Sequence, residues 1–242
     1  VSEDNDVPYK NLLASMPENS MLNYLFAKSL LMKVINFRSN DRKKDIIDLE
    51  NALKKSILLN PKNPLPYALL GLIKEGHTLA NFDTDLGKQR SNATKYVEKA
   101  IELGPENMEA LYYSGKFYRI IGNFSKAIKL FEKAIEIAPF GPEEIRINLV
   151  STHLANFDFD KASQIATALL NQGDKRSVFI GSMFLIYIKA KTGEIKDAKN
   201  DFKIILDKYN YTKEAALYQI RRYSPGTWTW ISSEFKSTMD NL

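Results

Sequence analysis

The chain's imidazoles are His77 and His153, and either could in principle act as a general base or a metal ligand. They are far apart, and neither sits in an H-E-x-x-H or other ligand spacing, so each reads as a lone surface or groove histidine on a helix. Cysteine is absent, which excludes disulfides, thiolate nucleophiles and cysteine zinc sites. The sequence contains no G-x-x-x-x-G-K-[ST], G-x-G-x-x-G or G-x-S-x-G, and no strand-helix alternation that would frame one. The acids that come in pairs, Glu143 with Glu144 and Asp158 with Asp160, stand at helix starts or turns. There a carboxylate caps exposed N–H groups and suits the positive end of a helix. Catalysis, a metal and a cofactor are therefore not expected.

Charge is equally undirected. Lys and Arg number 34 against 29 Asp and Glu, and the signs are interspersed, so the net +5 builds no single patch. Only Arg38 to Lys44 is locally basic, which fits a solvated helix end better than a nucleic-acid site. With 44% hydrophobic and 26% charged residues the composition is that of a packed protein. No apolar run reaches the roughly 18 to 20 residues of a membrane span. The polar, acidic start is unlike a signal peptide, and the Val at position 1 points to a fragment or a processed chain. The compartment stays open between cytoplasm and periplasm.

The elements that position these side chains show themselves through proline. Pro17, Pro61, Pro105 and Pro139 are spaced by 44, 44 and 34 residues, and the last three close similar segments, ALKKSILLNP, VEKAIELGP and FEKAIEIAP. Apolar residues three and four apart make each segment an amphipathic helix, and proline cannot continue it. Between Pro105 and Pro139, Gly122-Asn123 separates two such stretches, so the unit is a helix-turn-helix.

That unit resembles the tetratricopeptide repeat, a 34-residue helix pair. Gly115, Tyr118, Ala127, Phe131, Ala134 and Pro139 match at the family's spacing, with Leu111 at the Trp position and Ser114 at the Leu position. Backwards the register runs through Leu70, Gly71, Ala93, Val97 and Ala100, and earlier through Phe26, Ala27, Leu49, Leu53 and Ser56. Both earlier units are ten residues longer, in 34–45 and 77–87, which means elongated helices or long connections. Onwards it weakens through Ala162, Ala166 and Leu169, then Ala198, Phe202 and Ile205. The resemblance implies an all-α fold, a right-handed superhelical stack of about five antiparallel helix pairs. The expected parts are an extension at 1–19, units at 20–63, 64–107, 108–141, 142–176 and 177–210, and a cap at 211–242. Within that cap Lys213 to Tyr223 reads as an amphipathic helix, with Trp228 and Trp230 at the start of the last helix.

In this family the first helix of each pair lines a groove that receives a peptide. Around the small residue of each unit the resemblance selects Tyr24 and Lys28, Ala68 and Leu72, Tyr112 and Lys116, and Arg146 and Val150. One turn further lie Leu31, Glu75, Arg119 and His153. Tyr24, Lys28, Tyr112, Lys116, Arg119, Arg146 and His153 are the candidate partner-binding residues. Lysine and arginine interleaved with tyrosine suit a carboxylate-bearing segment; the alternative is that the tyrosines are partly buried between units and the lysines solvated. Co-chaperones of the family pair Lys with Asn at these positions, and Lys or Val stands here in place of that Asn. The function implied is protein or peptide binding, free-standing or as the sensor part of a larger regulator. Further readings are a periplasmic or secretion-related assembly factor, and a homodimer formed through Trp228 and Trp230.

Overall fold

The computed structural model describes residues 7–35, 39–80, 86–171, 174–223 and 231–242. Among the described residues there are thirteen helices and no strand. Two compact units, Val1–Gly122 and Asn123–Leu242, divide the chain. The first holds α1 (Val7–Ser15), α2 (Ser20–Ile35), α3 (Arg42–Leu59), α4 (Pro64–Ala80), α5 (Leu86–Leu103) and α6 (Met108–Ile120). The second holds α7 (Phe124–Ile137), α8 (Glu143–Ala155), α9 (Phe159–Leu170), α10 (Lys175–Lys191), α11 (Ile195–Tyr209), α12 (Lys213–Tyr223) and α13 (Ile231–Asp240).

Each of the four spaced prolines lies just beyond a helix, after α1, α3, α5 and α7. The chain then turns the same way four times, with N–H to carbonyl bonds from Asn19 to Met16, Asn63 to Asn60, Asn107 to Gly104 and Gly141 to Ala138 at 2.8–3.2 Å. Side-chain caps start the next helices. Asn107 accepts from the Ala110 N–H at 2.9 Å, Asn123 from Lys126 at 3.2 Å and Asp158 from Lys161 at 3.2 Å. Neighbouring helices are thereby antiparallel. In the first unit α2 lies on α3, α4 on α5 and α6 on α4. In the second, α8 packs on α7 and α9, and α10 on α9 and α11.

The ten-residue excess of the two early units goes largely into helix. α2 and α3 have 16 and 18 residues and α4 and α5 have 17 and 18, against 13 and 14 in α6 and α7. That is about one added turn per helix. The added turns of α2 and α3 are tied by Lys33 to Asp45 at 3.4 Å, both side chains mostly buried. At the opposite ends Ser20 and Ser56 exchange hydroxyl-to-carbonyl bonds at 2.9 and 2.8 Å.

Apolar spacing selects what is buried. On α7, Ala127, Leu130, Phe131 and Ala134 face inward while Lys129, Glu132 and Glu136 face water. The residues that carry the weaker register, Ala162, Ala166, Leu169, Ala198, Phe202 and Ile205, are all buried in the second unit. Ala216 and Ile220 of α12 and Met239 of α13 join that core, and both helices contact α10. Trp228 and Trp230 lie outside the described residues, so what covers the end of this core among the described residues is Ala216, Ile220 and Met239.

Candidate partner-binding face

In the first unit α2, α4 and α6 present the sequence-selected positions. α2 is buried along Asn23, Tyr24, Ala27, Leu30 and Val34, a stripe of one helical face. Tyr24 is 1% exposed, and its hydroxyl donates to Glu109 Oε1 of α6 at 2.8 Å. Burial, with Tyr113 and Glu109 beside it, pushes that hydroxyl far above the ordinary tyrosine range, so it serves as a donor. Lys28, one turn along, donates to the same oxygen at 2.6 Å. Tyr113 belongs to this group: burial, then Glu109, raises its hydroxyl as well. The structure thus joins Tyr24 and Lys28 through Glu109, a residue the sequence reading passed over. The signal was present, since Glu109 is three residues before Tyr112 and therefore on the same face. An acid in a first helical turn is adequately explained by the helix dipole, which hid it.

On α6, Lys116 lies 5.3 Å from the centre of the Tyr112 ring, a cation–π contact between residues four apart. Only 9% of Lys116 is exposed. Arg119, one turn on, is buried too, and burial pulls its guanidinium down to about 10 against an opposing pull from Tyr112. Glu75 at the matching position of α4 is fully buried, as is Ala68, while Leu31 and Tyr112 are half-buried. Glu75, Lys116 and Arg119 are therefore sunk into this face, while Lys28 and Glu109 keep contact with water. Burying several charged groups together is costly unless they are compensated, which makes the cluster a feature needing a reason.

In the second unit the α8 residues are separately engaged. The Arg146 guanidinium donates to the carbonyl of Pro139. His153 is 4% exposed, with Nδ1 at 3.0 Å from Asp158 Oδ2, and Asp158 is also the cap of α9. An imidazole oriented by a carboxylate is half of a hydrolytic arrangement. The nearby hydroxyls are committed elsewhere: Ser151 donates to the Ile147 carbonyl at 2.9 Å and Thr152 to that of Asn148 at 2.6 Å. The pair as built closes the α8–α9 turn. The side chain of His77 lies outside the described residues. Among the described residues no three His, Asp or Glu side chains are placed to hold a metal ion, and no helix is long and apolar enough to cross a membrane.

The tetratricopeptide-repeat profile matches residues 108–140, the span of α6 and α7. Human interferon-induced protein with tetratricopeptide repeats 2 is 34% identical over 87 residues, 36% of this chain and 17% of that protein. A solved human IFIT1 dimer with PPP-AAAA superposes at a TM-score of 0.60 and 19% identity, over 83% of this chain and 44% of that one. Pseudomonas aeruginosa PilF does so at 0.56 and 11%, over 89% and 96%, and yeast Tom70 at 0.54 and 20%, over 98% and 45%. At these identities the structures show a shared fold, and this chain spans less than half the length of IFIT1 and Tom70. The profile falls on the unit whose glycine, alanines and proline set the register, and the helix pairs beyond it share the fold of solved tetratricopeptide-repeat structures, so residues 108–140 match a tetratricopeptide repeat within a chain of that fold.

Proposed function

We propose that this chain is a non-catalytic protein-interaction module, which takes a partner segment on the first-helix face formed by α2, α4 and α6. Tetratricopeptide-repeat proteins generally mediate protein–protein interaction. The observation that carries the reading is the concentration of Lys28, Glu75, Lys116 and Arg119 with three tyrosines on that one face, most of them deeply buried. Charges held in place before a partner arrives lose little freedom on binding, and a desolvated setting strengthens each contact. The α8 face, with Arg146 and His153, is a second candidate contact.

The test is affinity capture with the purified chain, followed by titration of the captured partner against Lys116→Glu, with Arg146→Glu as a separate variant for the α8 face. Loss of at least about tenfold in affinity, with a flatter salt dependence, is expected. An unchanged affinity and salt slope would refute the assignment. PPP-AAAA, the ligand named with IFIT1, is the comparison probe: tighter binding of it than of any polypeptide would replace this reading. Light scattering on the same samples reads any homodimer.

A further inference from the structure

Glu109 Oε1 accepts the Tyr24 hydroxyl at 2.8 Å and the Lys28 ammonium at 2.6 Å. These donors sit one turn apart on α2 and are the tyrosine–lysine pair that the repeat register offers to a partner. Tyr24 is buried, whereas the side chains of Lys28 and Glu109 keep 39% and 29% of their surface. The carboxylate is therefore held by the buried hydroxyls of Tyr24 and Tyr113 and by a lysine in contact with water. An ion pair at that exposure is weak and exchangeable. The group it holds is chemically the one that Tyr and Lys together would recognise in a partner.

We infer that Tyr24 and Lys28 form a carboxylate receptor occupied by the chain's own Glu109, and that a partner engages this end of α2 by displacing it. The displacing group is the side chain of a glutamate in an acidic segment, because a glutamate carried on a helix is what the receptor already fits. The chain's net charge of +5 favours such a segment over a basic one. This inference rests on the α2, α4 and α6 face being the partner-binding one.

The experiment uses the full chain and a fluorescein-labelled octaglutamate, acetylated and amidated at its ends. Glu109→Gln, nearly the same shape, is expected to bind it about tenfold more tightly than wild type, and Glu109→Gln with Lys28→Gln to fall back to the wild-type level. Equal binding by wild type and Glu109→Gln, or a gain that survives removal of Lys28, overturns the proposal. A gain seen only with an octaglutamine bearing a free C-terminus overturns the side-chain assignment. Thermal unfolding of Glu109→Ala supplies a second readout, in which sodium acetate restores part of the lost Tm and sodium chloride at equal ionic strength does not. A loss of Tm indifferent to acetate means a purely structural tie and sinks the inference. If Lys116→Glu abolishes partner capture while Glu109→Gln changes nothing, the face stands and the role of Glu109 falls.

Discussion

Phe157 occupies a backbone conformation that its counterparts leave to glycine. Its φ is 57°, where Gly122 in the α6–α7 turn has 81° and Gly193 in the α10–α11 turn has 95°. A bulky L-residue there is disfavoured by about 1–2 kcal/mol, and the ring is 64% exposed with an edge contact to Phe159 at 6.4 Å. The turn is held regardless, because the Asp158 carboxylate both caps α9 and accepts from His153 Nδ1, and the Asp158 N–H donates to the His153 carbonyl at 2.9 Å. Phe157→Gly is therefore expected to raise stability by up to about 1 kcal/mol, the unfolded-state entropy of glycine offsetting part of the gain. Chemical denaturation measures it, and a destabilised Phe157→Gly would show that the ring contributes more than its conformation costs. Which residue of this turn carries the positive φ was not readable in advance, because Asn156, Phe157 and Asp158 include no glycine to mark it.

Helix pairs approach closely where a side chain is missing. A Cβ on Gly181 of α10 would stand 2.7 Å from the Ala166 carbonyl oxygen of α9 and 3.2 Å from Leu169 Cβ. Backbone cannot step aside as a side-chain tip can, so Gly181→Ala is expected to cost about 1–3 kcal/mol, read as a lower Tm. On Gly71 the nearest atom is Val97 Cγ2 at 2.5 Å, then the Ala93 carbonyl at 2.9 Å. There Val97→Ala should recover part of the loss from Gly71→Ala, a coupling that a double-mutant cycle isolates. The start of α10 carries a pH dependence. Asp174 accepts from the Arg176 and Ser177 N–H groups at 3.0 and 2.9 Å, and its bonds to Ser177, then Arg176, hold its carboxyl below the usual range. A folded value below the unfolded one means the contribution is complete above the ordinary Asp value of about 4 and is lost as pH falls through the folded value. The Tm advantage of wild type over Asp174→Asn should shrink on acidification through that window and stay flat above it.

Over the whole chain the net +5 and pI of about 9.1 act on encounter rather than on fold. If the partner segment is acidic, its association rate should fall as salt shortens the screening length from about 10 Å at 0.1 M. Dissociation should change less, because it depends on the buried contacts. Stopped-flow mixing at several ionic strengths separates the two rates, and an association rate indifferent to salt would remove the acidic-partner reading while leaving the fold untouched. Within each unit stability is built between neighbouring helix pairs. Removing Phe131 from the start of the second unit, where its ring is fully buried, is accordingly expected to cost about 3–5 kcal/mol.

Periodicity and punctuation are local, and so were legible from the chain alone. Proline cannot continue a helix wherever it sits, and Ala127, Phe131 and Ala134 must share a face at 3.6 residues per turn whatever surrounds them. The helix pairs and the inward positions of the weak later repeats followed from that. The ten extra residues could not be assigned to helix or loop, because Lys33 meets Asp45 only once α2 and α3 lie side by side. The meeting of Tyr24 and Lys28 with Glu109 joins residues over eighty apart, and sequence spacing carries no information about such a distance. Which charges are exposed and which are sunk beneath tyrosines is a property of packed surfaces, so the tertiary structure alone could decide it.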